Sequence, residues 1–220
     1  MADRTVMLAF PHPGHVSTEF MLSVLAASNP PATPIAGITD LKTGPFLSQA
    51  RGEITTMFLD SGLEWLWMVD ADMRFTADTL PALLAYAHPD TVPVIGATCQ
   101  AITRNGQVIV TAYRADKDET TGRFGMTSLA GDDLPPDTLI RVDATGCACL
   151  LIHRTVFTRL DENWPGPHGL WFAEQAIDGR IFGEDMSFCL RCGDAGIPVH
   201  VHTGIQAGHM RDIQVGEVTP

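Results

Sequence analysis

Over the first hundred residues, short unbroken apolar runs alternate with longer stretches whose apolar positions recur at helical spacing. Thr5–Phe10 (TVMLAF) reads as a strand, ended by the loop Pro11-His12-Pro13-Gly14-His15. Ser17 and Thr18 supply a helix start, Glu19–Ala27 an apolar helical face, and Asn29-Pro30-Pro31 a stop. The cycle repeats with the strand Pro34–Thr39, closing at Asp40, and the helix Phe46–Leu59, which carries Arg51 and stops at Asp60-Ser61-Gly62. It repeats again with Trp65–Phe75 (WLWMVDADMRF) and the helix Ala77–Ala87, before a fourth strand at Val92–Thr98. Such strand–helix alternation predicts a parallel sheet with right-handed crossovers.

The pattern then changes. Gln107–Tyr113 alternates weakly, Arg114–Gly125 is polar, and Asp132–Asp137 holds Asp-Asp and Pro-Pro, which together predict an antiparallel excursion with a mobile loop. Leu139–His153 returns to the sheet, with a turn or bulge at Gly146. Val156–Leu160 starts a short helix, and Asn163–Phe172 (NWPGPHGLWF) is an aromatic loop rich in Gly and Pro. Gly183-Glu184-Asp185 precedes a helix, MSFCLRCGDAG, and Ile197–Val201 is a final strand before a polar tail. With no repeat and no linker, one domain over 1–220 is expected, made of a nucleotide-binding half (1–100), a second half (101–210) and a tail (211–220).

The central run ends in two carboxylates, Asp70 and Asp72, separated by Ala71. Residues i and i+2 of a strand point to the same side, so both acids can face one spot at its C-terminal edge. In open α/β sheets that edge is where ligands bind. Two converging carboxylates repel unless a cation lies between them, and hard oxygen ligands suit Mg²⁺ or Mn²⁺. An aspartate that caps the following helix gives the same local sequence, so the pair alone leaves both readings open.

Composition narrows the function classes. Fourteen Lys and Arg against 26 Asp and Glu give a net charge of −12, which argues against non-specific binding to nucleic acid or to an anionic membrane. No apolar run reaches membrane-spanning length, and Met1–Phe10 carries Asp3 and Arg4 before the first strand, so no signal peptide and a cytoplasmic location are expected. The five cysteines include a C-x-C (Cys147, Cys149) and a C-x-x-C (Cys189, Cys192). Half of that spacing is wrong for a zinc knuckle, so buried reduced thiols are the expectation.

Four features now fall in order. They are Ala50-Arg51 on the helix ahead of the central strand, Asp70-Ala71-Asp72, the segment Asp143-Ala144-Thr145-Gly146-Cys147, and Gly183-Glu184-Asp185-Met186-Ser187-Phe188 with Arg191 and Gly196, followed by His209. With them the chain resembles glycosyltransferases of the GT-A fold over nearly its whole length, from Thr5 to Met210. The resemblance implies an α/β, Rossmann-like mixed sheet, mainly parallel and flanked by helices, with a small antiparallel excursion. It implies an Asp-x-Asp motif that binds Mn²⁺ or Mg²⁺ and a UDP- or GDP-sugar donor. Asp70, Asp72 and the late His209 would be the metal ligands, with His200 and His202 as competitors on one strand face. Pro11 and His12 would meet base or ribose, Asp40 the base, and Arg51 the diphosphate or the acid pair, with Ala71 between the acids. Small stand-alone enzymes of this kind also occur in bacteriophages.

The same resemblance makes Asp185, with Glu184 beside it, the base of an inverting transfer, helix capping being the alternative role. Gly146, Trp164, His168, Trp171 and Phe172 are candidates for the acceptor and sugar side, and the aromatics among them would serve equally as a lid over the core. The acceptor is a hydroxyl of open class: a small molecule, a protein side chain, a glycan or a hydroxymethylated pyrimidine in DNA. The loop Phe10–His15 lacks the polar residues common in such enzymes, which leaves the base preference open. Two other readings stand beside this one. A sugar-nucleotide pyrophosphorylase would need a Gly-rich basic loop after the first strand, of which FPHPGH is a poor version. A non-catalytic nucleotide-sugar-binding module would have no need of Asp70, Asp72, Asp185 and His209 together.

Overall fold

The computed structural model describes residues 5–29, 33–103, 105–117, 119–163 and 169–211. In chain order the first half comprises β1 (Val6–His12), α1 (Thr18–Ser28), β2 (Ile35–Lys42), α2 (Leu47–Ser61), β3 (Trp65–Val69), β4 (Met73–Arg74), α3 (Thr79–Tyr86) and β5 (Val94–Thr98). An excursion follows through β6 (Gln100–Ile102), β7 (Val108–Val110), β8 (Ala112–Lys117) and β9 (Phe124–Ser128). The chain returns through β10 (Leu139–Val142), β11 (Ala144–Thr145), β12 (Cys149–His153) and α4 (Thr155–Asn163). It closes with β13 (Gln175–Ile177), β14 (Arg180–Phe182), α5 (Glu184–Asp194), β15 (Val199–Gln206) and β16 (Gly208–His209).

Seven strands form the main sheet in the order β10-β15-β5-β12-β3-β1-β2. β1 pairs parallel with β2 and β3, and β15 with β5, whereas β12 runs antiparallel to both β3 and β5, and β10 to β15. The sheet is therefore mixed, as the resemblance implied. Its first crossover steps outward from β1 to β2, and the second steps back over β1 to β3. Right-handed connections in opposite directions place α1 and α2 on opposite faces. The period of two along each strand feeds two cores: Met7, Ala9, Leu66 and Met68 pack toward α2, α4 and α5, and Val6, Leu8, Trp65 and Trp67 toward α1 and α3. Every residue of β3 is buried, which is why it reads as one apolar run and not as an alternation.

One expectation needs correcting: the strand expected over Trp65–Phe75 ends at Val69, and a turn at Asp70–Asp72 separates it from β4, which pairs elsewhere. Leu139–His153 has the expected break at Gly146 and a second one at Asp143, so that β10 joins the sheet edge, β11 joins a small sheet with β8 and β9, and β12 takes the centre. In the expected antiparallel excursion, the polar start of Arg114–Gly125 is the outer half of β8, paired antiparallel with β9, its polar side chains facing solvent. Among the described residues no helix is long and apolar enough to cross a membrane.

Candidate functional site

Where β3 ends, the backbone turns tightly, with the Met73 N–H donating to the Asp70 carbonyl at 3.1 Å. The two residues of β4 pair with β16, setting His209 opposite Met73, and the Met210 N–H reaches the Asp72 carbonyl at 2.8 Å. This small ribbon draws the end of the described chain back to the acid pair. His209 Nε2 meets Asp72 Oδ2 at 2.9 Å, and its Nδ1 meets the Gln100 carbonyl at 3.0 Å. A carbonyl only accepts, so Nδ1 carries a proton. Nε2 is then either a proton donor to Asp72 or, with its lone pair free, a metal ligand. The bond to Asp72 holds the imidazole pKa above its ordinary value against the pull of burial. Burial pushes Asp72 upward, but the His209 bond and the nearby charges of His209 and Arg211 more than reverse it and leave this carboxyl below the ordinary range.

Asp70, Ala71 and Asp72 line a cleft of about 520 Å³ together with Pro11, His12, Thr43 and Arg211. It lies over the C-terminal ends of β1 and β3, at the reversal of strand order where doubly wound sheets open a crevice. His12 accepts the Gly14 N–H on Nδ1 at 3.0 Å, which leaves Nε2–H to donate to Asp40 Oδ2 at 2.9 Å. The predicted base-side residues thus meet at one rim. Arg211, assigned by sequence to the tail, points a guanidinium nitrogen to within 3.7 Å of Asp72. Its only sequence signal was its place two residues beyond His209.

A second acidic centre lies at the start of α5 and is tied to the first by one side chain. Arg51 is 2% exposed; its Nη2 donates to Asp70 Oδ1 at 2.8 Å and its Nε to Glu184 Oε1 at 3.2 Å. Burial opposes its charge, but the facing carboxylates more than offset this and keep the guanidinium protonated. Glu184 therefore neither caps α5 nor stands free; it braces Arg51. The N-cap position is Gly183, and no side chain caps the helix. Asp185 sits in the first turn, its Oδ1 accepting the Met186 N–H at 2.7 Å. Burial, then the negative charge of Glu184, pushes its carboxyl up to about 6, partly countered by that bond and by Arg51. Gly146 lies against it: a Cβ there would be 3.6 Å from Asp185 Oδ2 and 3.7 Å from Thr111.

Two of the aromatic candidates are core residues. Trp171 is 4% exposed, with its indole N–H bonded to Asp161 at 2.8 Å, and Phe172 is fully buried and stacked on Phe188 at 4.6 Å between centroids. Neither offers an open face to a sugar; they serve as the lid over the core. Trp164 and His168 lie outside the described residues. Of the competing histidines, His202 is buried against Tyr86 at 4.3 Å and His200 is half-buried in mid-strand. All five cysteines are free and buried, and burial raises their thiols. Among the described residues no group of three or more His, Cys, Asp or Glu converges as a metal site. Of the three expected ligands, Asp70 has one oxygen engaged by Arg51 while Asp72 and His209 meet each other, so a cation would draw on those two and take its remaining ligands from a bound molecule. The carboxylate oxygen would suit either Mn²⁺ or Mg²⁺, and the imidazole nitrogen beside it would favour the less strictly oxygen-bound Mn²⁺.

The sequence matches no protein-family model and no curated protein. The structure is similar to that of A197 from STIV, with a TM-score of 0.58 and 16% identity over 94% of this chain and 86% of that chain. It is also similar to GalNAc-T7 crystallised with UDP, GalNAc and Mn²⁺, with a TM-score of 0.63 and 12% identity over 96% of this chain. Only 44% of GalNAc-T7 is matched, so the chain spans less than half the length of that enzyme. At these identities the likeness speaks to architecture, and on that ground the chain has the GT-A fold, the α/β architecture of the glycosyltransferase GalNAc-T7.

Proposed function

We propose that the chain is a metal-dependent glycosyltransferase that moves a sugar from a nucleotide-diphosphate sugar to a hydroxyl acceptor with inversion. The observation that carries this reading is the Asp72–His209 contact, built by the β4–β16 ribbon, at the lip of a cleft of about 520 Å³. Asp72 and His209 would hold the ion. When bound, it supplies Lewis-acid stabilisation of the charge that builds on the departing diphosphate. Asp70, clamped by Arg51, would be held toward the ribose side, and Arg211 adds positive charge at the cleft mouth. His12 and Asp40, already bonded to each other, form the rim against base and ribose.

Asp185 is suited to the base. Its carboxyl is lifted to about 6, so at pH 7–8 it is mostly ionised and still basic enough to take a proton from an attacking hydroxyl. The acceptor oxygen forms its bond to the anomeric carbon, the bond from that carbon to the diphosphate breaks with its electron pair, and the acceptor proton ends on Asp185. Incubation with a panel of UDP- and GDP-sugars, with and without Mn²⁺, tests the reading through release of free nucleotide. Metal-dependent release with at least one donor is expected. Absence of turnover with every donor would favour a binding module.

A further inference from the structure

A second concavity, of about 510 Å³, runs along the outer side of α2 and faces the turn Gly169–Ala173. Gln49, Gly52, Glu53 and Thr56 recur at i, i+3, i+4 and i+7, so they share one helix face, and Phe46 closes the groove at the helix start. The floor is Gly52, where the Gly169 carbonyl lies so close that a Cβ would come within 2.5 Å of it. The residue type is dictated by that approach. The groove abuts the donor cleft: Leu47 lines the cleft, while its neighbours Phe46 and Ser48 line the groove. Arg51, which reaches both acidic centres, precedes the floor residue directly.

We propose that this groove is the acceptor subsite and takes a neutral saccharide; the acceptor role rests on the glycosyltransferase reading. Three features select that chemistry. Phe46 is 66% exposed, an aromatic residue beside polar groups that can stack on the apolar side of a pyranose. Gln49 Nε2 donates to Glu53 Oε1 at 2.8 Å, which fixes two flat polar groups side by side at the spacing of neighbouring sugar hydroxyls. The described lining carries one carboxylate and no cationic side chain, so it repels phosphate and offers nothing to a DNA backbone. A hydroxymethylated base in DNA is thereby disfavoured. The stacking surface expected at Trp171 and Phe172 is supplied by Phe46 instead.

The test is ¹H–¹⁵N NMR of the whole chain titrated without donor. The probes are neutral gluco-, galacto- and manno-configured disaccharides, a hydroxymethylcytosine oligonucleotide and a serine peptide. A disaccharide should shift the Gln49 side-chain amide and the α2 backbone, and Phe46→Ala and Glu53→Gln should each weaken binding at least tenfold. Leu25→Ser, on the exposed face of α1, is the control and should bind like the parent. The proposal is overturned if no disaccharide perturbs these residues, if both groove variants bind like the parent, or if only the oligonucleotide or peptide binds there. Donor turnover separates the two claims. Saccharide binding without Mn²⁺-dependent hydrolysis of any donor keeps the groove and removes the transferase; hydrolysis with a silent groove does the reverse.

Discussion

Asp185→Asn should stabilise the protein while removing transfer. The folded structure holds this carboxyl at about 6 against an ordinary value of 3.8, so folding disfavours its ionised form. The sign follows directly. Between those two values the folded chain keeps a proton that the unfolded chain has lost, and stability falls as pH rises through the window. At about 1.4 kcal/mol per factor of ten, the full cost is about 3 kcal/mol, reached above pH 6. Asparagine has nearly the same shape, and its amide oxygen can keep the bond from the Met186 N–H. Urea unfolding at pH 8 should therefore show Asp185→Asn about 2–3 kcal/mol more stable than the parent, with the gain falling below about 1 kcal/mol at pH 4.5. Donor and Mn²⁺ affinity should persist while transfer to acceptor is lost. A variant that is destabilised at pH 8, or equally stabilised at both pH values, would refute the account of a carboxylate kept basic by its surroundings.

Three further outcomes follow from the same geometry. Arg51→Met strips two half-buried carboxylates of their partner and should cost about 2–4 kcal/mol in urea, with Glu184→Gln in the same chain recovering part of it; a loss under about 1 kcal/mol would show that the bridge contributes nothing. With His209 Nε2 as the proposed ligand, a proton and a metal would compete for it, and Mn²⁺ affinity should rise with pH as the imidazolium deprotonates. In His209→Gln that dependence should flatten, and an unchanged pH profile by calorimetry would count against His209 as ligand. Trp171→Ala should act on folding and not on saccharide recognition, lowering stability by about 3–5 kcal/mol as a buried aromatic truncation does; a raised acceptor KM at full stability would restore the platform reading.

How much of this was legible in the chain depends on the range of the interaction. β3 was visible because full burial on both faces leaves an unbroken apolar run, but its acid pair lies in the turn past Val69 and not at i, i+2 along a strand, which only the pairing of β4 with β16 decides. Arg51 and Glu184 were marked by motif, but the link between them was not, since a contact between residues 51 and 184 depends on the fold. Arg211 escaped for the same reason: only the β4–β16 pairing returns the tail to Asp72. The loop around Trp171 left two readings open because an aromatic that covers a core and one that covers a sugar share the same composition. What separates them is exposure, 4% for Trp171 against 66% for Phe46. The second break in Leu139–His153, which divides it into three strands of two sheets, was also hidden, because β-branched and small residues suit any of them and only the long-range partners decide.

The claim beneath all of this is that oxygen and nitrogen from Asp72 and His209 share a divalent ion with a nucleotide diphosphate. Calorimetric titration of UDP and GDP into the protein, with and without Mn²⁺, and into Asp72→Asn, addresses it directly. The account predicts tight binding of one nucleotide only when Mn²⁺ is present, and its loss in Asp72→Asn although the variant unfolds like the parent. Equal affinity without the metal, or undiminished Mn²⁺-dependent binding in Asp72→Asn, would contradict it.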